Sequence, residues 1–416
     1  MTPEDLDFLR TGAGAALVAR AAELDWSPSQ RVASTAVVRG LDRDHAGAAI
    51  DVVTARSRAA GRIRGAETML LTDQAVQQAT AWPVAALRAA RLAGHDVHDL
   101  TCSVGAELNE LVRTPGRVIG SDLDPVRAGM AAHNVPDALV CVADALAPPS
   151  RDAVLVADPA RRGGGRRIHD PARLSPPLPA LLTAVADREH AIKCAPGLDT
   201  DALGHTGEVE LVSLDGSVRE ACLWSPGLSH GVRRRATVVH TAPVGRDVPW
   251  GPVRLTGEGV AVYVEEVTDH DDDEVGAAAD HDRFIVDPDG AVVRAGLVRH
   301  WARRHGLRQL DPRIAHLTGP RVPAGYSGFE VVERCRLDRK ELRRRLREWD
   351  CGSLEILLRG VDVDPDVLRR SLALRGSRPM ALVVTRIGRS AVVFVCRPRT
   401  VGGAETTPSG TGQPKT

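Results

Sequence analysis

Four short apolar runs between Val97 and Asp158 each end in an aspartate. They are Val97-His98-Asp99, Val118-Ile119-Gly120-Ser121-Asp122, Leu139-Val140-Cys141-Val142-Ala143-Asp144 and Ala153-Val154-Leu155-Val156-Ala157-Asp158. Runs this short, separated by helix-like or turn segments, predict consecutive parallel strands of a doubly wound α/β sheet, because strands buried on both faces read as unbroken apolar stretches. Ligands of such sheets bind beyond the carboxyl ends of the strands. The four acids then line one edge, which suits a ligand rich in hydroxyls and amines that carboxylates can bind by charge-assisted hydrogen bonds. S-adenosylmethionine is a ligand of that kind.

A chain of 416 residues exceeds the size at which one core keeps growing, so two or three domains are expected, and 43% hydrophobic residues suffice to fill them. No stretch approaches the roughly 20 apolar residues that span a bilayer, and the start Met1-Thr2-Pro3-Glu4-Asp5 is acidic, unlike a signal peptide. The expectation is a cytoplasmic protein with no membrane partner. Seven scattered cysteines, with no Cys-x-x-Cys pair, form neither a disulfide framework nor a zinc site. The acidic run Asp269 to Glu274 lacks the spacing and glycine of a calcium loop, so no metal is expected. With net charge +0, any contact to nucleic acid has to rest on local clusters.

Residues 1–94 read as a helical N-terminal region, with helices beginning after Thr2-Pro3 and running from Ala46 to Arg62 and from Val84 to Leu92. The polar residues of Thr72 to Thr80 would wall one side of a cofactor pocket. Residues 95–228 hold the four runs, a fifth strand around Ala191-Ile192-Lys193, and a hairpin, Glu208–Leu214 and Glu220–Trp224, turning at Asp215-Gly216. Residues 229–400 read as a second α/β region, with a basic helix (Leu337 to Trp349), a strand (Leu354 to Leu358), a helix opened by Asp364-Pro365 and a closing hairpin turning at Gly388. The Gly-, Thr- and Pro-rich tail, 401–416, is expected to be disordered.

The first strand enters Asp99-Leu100-Thr101-Cys102-Ser103-Val104-Gly105-Ala106-Glu107, a strand-to-helix turn of small residues through which backbone can approach a ligand. Asp122 follows Asp99 by 23 positions, near the roughly 20 at which a second-strand acid meets ribose hydroxyls in nucleotide-binding folds. Asp124-Pro125 reads as the N-cap and first residue of the next helix. The turn lacks the full G-x-G-x-x-G set, and no G-x-x-x-x-G-K-[ST] occurs, which disfavours a pyrophosphate or triphosphate ligand. Arg161, Arg162, Arg166 and Arg167 alternate with three glycines in a basic loop suited to phosphate oxygens, and Lys193 at the end of the fifth strand is placed to touch substrate.

Three sets of residues resemble the bacterial class I methyltransferases that carry a C-terminal THUMP-like domain. They are Asp99 to Glu107 with Gly120 to Pro125, then Ala157 to Arg166, and finally Gly352 to Gly360 with Val361 to Pro365. The turn departs from the family pattern in having Thr101 and Ser103 where glycines are common, leaving Gly105 alone. The resemblance implies a seven-stranded methyltransferase sheet, a THUMP-like domain at about 330–400, S-adenosyl-L-methionine as cofactor and structured RNA, a tRNA or rRNA, as substrate. Carried over to this chain, Asp99 with Thr101, Ser103 and Gly105 holds the methionine end, Asp122 the ribose, and Asp144 with Ala145 the adenine amine. Asp158-Pro159-Ala160-Arg161 occupies the place of the family's fourth motif. There Asp158 is the catalytic residue that receives the target amine, while Pro159 fixes the backbone direction.

The resulting expectation is methylation of a base nitrogen in RNA. Cys194-Ala195-Pro196 faintly resembles the nucleophile segment of pyrimidine-C5 methyltransferases, against the plainer reading of a small buried hydrophobe. The basic helix bearing Arg336, Arg339, Lys340, Arg343, Arg344, Arg345 and Arg347 fits phosphate binding or simple solvation. A methyltransferase of proteins or small molecules, and a non-catalytic RNA-binding protein on a methyltransferase fold, are the alternatives.

Overall fold

The computed structural model describes every residue except 161, 164–165, 168–169, 277, 279 and 404–416, and the side chains of residues 161–169 and 201 are likewise outside the description. The chain divides into two compact units, the first formed by Met1–Val212, Arg219–Arg233 and Leu255–Val260, the second by Ser213–Val218, Arg234–Arg254 and Ala261–Thr416.

The first unit begins with helices α1 (Pro3–Leu9), α2 (Gly12–Ala22), α3 (Arg31–Leu41) and α4 (Ala46–Ala59). Thr2 and Asp5 close a capping box at α1, and the Thr11 hydroxyl caps α2, satisfying amide donors that a helix start leaves free. Apolar residues of these helices, among them Leu6, Leu17 and Val52, form one core with Leu71 of the following segment and with Val104 and Met130 of the sheet domain. The prefix is thereby fastened to the turn that follows the first strand. Asn134 adds a polar clasp: its amide donates to the carbonyls of Leu70 and Val104, both at 2.8 Å, and its oxygen accepts from the Leu70 amide at 2.6 Å. Helices α5 (Asp73–Gln78) and α6 (Trp82–Arg91) then lead into the sheet.

That sheet contains β1 (Val97–Asp99), β2 (Val118–Asp122), β3 (Leu139–Val142), β4 (Val154–Ala157), β5 (His190–Cys194), β6 (Glu208–Leu214) and β7 (Ser217–Trp224), in the order β3-β2-β1-β4-β5-β7-β6. β1 to β5 are parallel, and β7 runs antiparallel to β5, pairing Lys193 with Cys222. Helices α7 (Leu108–Leu111), α8 (Pro125–Asn134) and α9 (Leu178–Ala184) are among the connections. Asp124 caps α8 through the amides of Val126 and Arg127, as its Asp-Pro sequence predicts. The β6–β7 hairpin turns at Asp215 and Gly216, both at positive φ, the requirement of a two-residue type I′ turn.

In the second unit, β8 (Arg234–Pro243) pairs with β9 (Val260–Thr268). β10 (Phe284–Val286), β11 (Arg308–Asp311), β12 (Ile314–Gly319), β13 (Ser327–Arg336), β14 (Cys351–Arg359), β15 (Arg378–Ile387) and β16 (Ser390–Cys396) form a sheet in the order β11-β12-β10-β13-β16-β15-β14. α10 (Arg339–Glu348) and α11 (Pro365–Leu372) bury Leu342, Leu346, Leu368 and Leu372 against this sheet, with Leu382, Val384, Val393 and Val395 opposite. Two expectations need correcting. Strand β13 has no counterpart in the sequence reading, because four of its ten residues are charged. Val401, assigned to a disordered tail, pairs with Ser327 of β13, whereas 404–416 lie outside the described residues.

Candidate active site

Parallel strands β1 and β4 are neighbours, so the residues beyond their carboxyl ends converge. One cleft is lined by Asp99 at the end of β1, by Thr101, Ser103 and Glu107 from the turn that follows, by Asp158 after β4, by Lys193 of β5, by Gln78 at the end of α5 and by Thr80 beyond it. Part of the Thr72 to Thr80 segment thus lines this cleft. All of these residues belong to the first unit.

The turn achieves with few glycines what a glycine-rich loop does elsewhere. Ser103 sits at φ 50° and Gly105 at φ 85°, both left-handed, so the backbone folds back sharply after β1. The strain at Ser103 is held by its amide, which donates to Asp122 Oδ2 at 3.1 Å, while Asp122 Oδ1 accepts the Asp124 amide at 2.9 Å. At Gly105 a side chain would press on Val135 and Ala131 of the α8 region at 3.1–3.3 Å. Thr101 binds in two directions: its amide donates to Asp99 Oδ1 at 3.0 Å and its hydroxyl accepts the Asp158 amide at 2.7 Å. β1 and β4 are thereby latched together at the cleft.

Beneath the cleft lies a buried charge network. Arg88 of α6 bonds Glu107 and Glu220. Lys193 donates to Thr80 Oγ1 and, at 2.6 Å, to Asp158 Oδ2, and it lies 3.7 Å from Glu107 and 3.9 Å from Glu220. Its side chain is 4% exposed while that of Asp158 is 31% exposed, so the lysine secures the carboxylate from below and leaves it open above. Among the described residues, Asp158 Oδ1 has no partner. Burial foremost, then the neighbouring charge of Glu107, pushes the Asp99 carboxyl up to about 7. Burial alone would raise Glu107 as well, but Arg88 and Lys193 outweigh it and hold that carboxyl below its ordinary value. Two cations, Arg88 and Lys193, thus face the four carboxyl groups of Asp99, Glu107, Asp158 and Glu220, an acidic lining that favours a cationic ligand.

The other expected residues stand apart from the cleft lining. Asp122 is buried beside Ser103 and its pKa is raised, chiefly by burial. Asp144 lies on the exposed loop after β3, with its carboxylate accepting the Leu146 amide at 2.9 Å. Pro159 is buried. Cys194 is buried on β5, where alternation turns it away from the cleft that Lys193 lines, which gives the covalent cysteine route no support. The side chains of Arg161, Arg162, Arg166 and Arg167 lie outside the described residues. Sequence reasoning missed Arg88, Glu107 and Glu220. Their signals were a cation amid the alanines of α6 and an acid heading the apolar run Ala221 to Trp224.

Two proteins of Mycobacterium tuberculosis, from strains CDC 1551 and H37Rv, are each 47% identical to this chain over 367 residues, covering 84% of it and 96% of the relative. Both bear the name S-adenosylmethionine-dependent methyltransferase. This chain belongs to that family. The methyltransferase also superposes on a methyltransferase crystal structure from Porphyromonas gingivalis W83 with a TM-score of 0.63 at 18% identity, covering 95% of this chain and 98% of that one. Its residues 326–398, from β13 to the end of β16, match the family described as THUMP domain-like. The enzyme is thus a class I S-adenosylmethionine-dependent methyltransferase with a C-terminal THUMP-like domain. An acidic cleft beside a left-handed strand-to-helix turn is chemically compatible with a ligand that carries a sulfonium and an ammonium. Among the described residues no group of His, Cys, Asp or Glu side chains is arranged to hold a metal, and no helix is long and apolar enough to cross a membrane.

Proposed function

We infer that this methyltransferase modifies a base nitrogen in structured RNA, a tRNA or an rRNA. The observation that carries the reading is Asp158, whose Oδ2 is fixed by Lys193 while Oδ1 has no partner among the described residues, in a chain that also holds a THUMP-like domain. THUMP domains are RNA-binding modules, and a carboxylate held in this way can accept an N–H of an exocyclic or ring nitrogen. In this reading Asp99, Thr101, Ser103 and Gly105 hold the methionine end of the cofactor, Asp122 the ribose hydroxyls, and Asp144 with Ala145 the adenine amine. S-adenosylmethionine supplies an electrophilic methyl group on a positively charged sulfur.

The chain's own residues then do two things. Asp158 aligns the acceptor nitrogen by taking its N–H, and Lys193, held by Thr80 Oγ1 and close to Glu107 and Glu220, keeps Asp158 oriented. In-line methyl transfer gains most from such positioning and preorganised charge. Pro159 fixes the direction of the backbone after Asp158, and Arg161, Arg162, Arg166 and Arg167 supply cations for the RNA backbone.

The test is transfer from labelled S-adenosylmethionine to RNA of a strain lacking the gene, followed by mass spectrometry of the nucleosides. A new N-methylated nucleoside is the expected product. Transfer to the protein or metabolite pool with none to RNA would overturn the assignment of substrate.

A further inference from the structure

We propose that the THUMP-like domain carries a pocket for one unpaired nucleotide of the RNA, with its base stacked on Trp349 and its phosphate held by Arg378. A cavity of about 230 Å³ opens at the end of α10, lined by Val332, Trp349, Arg378, Pro379, Met380 and Arg397. Its walls are apolar, and its two charged members are both arginines. The pocket rests on the RNA reading of the enzyme and narrows it from a shape-recognising surface to a site for a single base.

Four observations converge on this pocket. The chain has six tryptophans. The indole N–H of Trp26, Trp224 and Trp301 is hydrogen-bonded, to Ala21, Glu210 and Glu265 respectively, and that of Trp82 and Trp250 is buried. Trp349 alone keeps an indole N–H that is neither bonded nor buried among the described residues, and its ring is half-buried at the cavity. In a chain only 3% aromatic, such a face is a scarce resource for stacking.

Arg378 is exposed and has no side-chain partner among the described residues, whereas Arg397 is tied to Glu330 at 3.1 Å. One guanidinium is therefore free for a phosphate, while the other shapes the wall. The amide of Arg378 donates to the Asp350 carbonyl at 2.9 Å, placing it beside the residue that follows Trp349. Stacking face and free cation are neighbours.

Both strand pairs that frame the cavity are bulged. The β13–β16 register steps from Val331↔Cys396 to Glu333↔Val395, which leaves Val332 as the extra residue, and β14–β15 steps from Cys351↔Arg378 to Ser353↔Pro379 across Gly352. A Cβ at Gly352 would lie 2.1 Å from the Gly376 carbonyl oxygen, so that bulge depends on glycine. Bulges redirect side chains and gather beside binding sites. Charge decides the occupant. Arg347, two residues before Trp349, also lacks a side-chain partner among the described residues, as do Arg336, Arg339 and Lys340 toward the other end of α10, so the free cations along this helix favour a polyanion over an apolar peptide.

The test is fluorescence anisotropy of the full chain with a fluorescein-labelled 12-nucleotide single-stranded oligoriboadenylate and with a 12-base-pair RNA duplex. Trp349→Ala is expected to weaken the single strand by about five- to hundredfold, the range for loss of one base–aromatic stack, and the duplex by less than twofold. Trp349→Phe should restore most of the affinity, and Arg378→Glu, at an exposed site that leaves the core intact, should weaken the single strand as well. Equal single-strand affinity of Trp349→Ala and the parent, where the parent binds RNA, would overturn the pocket and leave the RNA reading standing. Binding of neither RNA by the parent would overturn both, and Trp349-dependent binding of polyglutamate in preference to RNA would assign the pocket to a protein.

Discussion

The methyltransferase unit and the THUMP-like domain place their charges in opposite ways. In the first unit Arg88, Asp99, Glu110, Asp122, Lys193, Glu208 and Glu220 are all buried. From residue 326 to 398, Thr385 is the one buried polar residue, and the cations stand on the outside of α10 and of the sheet. Burying an ion costs several kcal/mol and is tolerated only where partners are in place. The first unit accepts part of that cost at one cleft, where Asp99 and Lys193 line the wall and, under the proposed function, fixed charge orients a cofactor and an acceptor. The THUMP-like domain leaves its charges in water, where, under the proposed function, a flexible polyanion can find them.

The largest effect that tests this contrast is Arg88→Met. It would leave Glu107 and Glu220 buried with Lys193 as their remaining cation at 3.7–3.9 Å, and the unfolding free energy of the enzyme is expected to fall by about 3–5 kcal/mol. Urea denaturation measures it. A change under 1 kcal/mol would mean that the network is not a structural unit.

Next comes Asp158→Ala. Because Lys193 is 4% exposed and keeps Thr80, Glu107 and Glu220 nearby, the fold should tolerate the loss. Turnover is expected to drop by about 100-fold or more, the scale of one preorganised polar group in a reaction site, with affinity for S-adenosylhomocysteine changed less than threefold. Equal loss in both would make Asp158 a cofactor ligand instead.

How far the sequence discloses this arrangement follows from the range of each interaction. The β-strands, the Asp-Pro helix starts and the Asp215-Gly216 turn are local devices, readable because the residues that need each other are adjacent. The converging edge acids Asp99 and Asp158 are legible one step further, since strand order in a doubly wound sheet is nearly dictated. The Arg88–Glu220 pair is different: 132 positions separate its members, and neither belongs to a motif. Ser103 shows the converse limit. As a residue type it argues against the family's glycine turn, yet its backbone takes the left-handed conformation that a glycine would, stabilised by Asp122. Identity misleads there because a specific hydrogen bond replaces intrinsic freedom. Around α10 the sequence offers seven basic residues as possible phosphate contacts, six on the helix and Arg336 at the end of β13, but Arg343, Arg344 and Arg345 are spent on Ser371, Glu348 and Glu341.

A smaller effect concerns pH. Asp99 carries a proton up to about pH 7 in the folded protein, against an ordinary carboxyl value of 3.8. With the folded value raised, the native state binds the extra proton between those limits, so Asp99 subtracts from stability as pH rises through that window. Binding an ammonium draws on the ionised form. Affinity for S-adenosylhomocysteine by calorimetry should therefore weaken by up to about tenfold for each pH unit below 7, or about 1.4 kcal/mol. Asp99→Asn should flatten this profile, lower the affinity at pH 8 and raise the melting temperature there. A pH-independent parent would remove Asp99 from the cofactor's amine.

The smallest effect lies on the other side of the contrast. Arg339 opens α10 and, among the described residues, has no side-chain partner, so Arg339→Ala should shift stability by no more than about 0.5 kcal/mol. Its positive charge at a helix N-terminus opposes the helix dipole, which makes even a slight gain the favoured sign. If the residue meets a phosphate, the slope of log affinity for RNA against log salt concentration should shrink by about one, because one fewer counterion is released. A loss of stability above 1 kcal/mol would show that the THUMP-like surface, like the cleft of the first unit, depends on its charges to fold, and the division between the two regions would fail at that point.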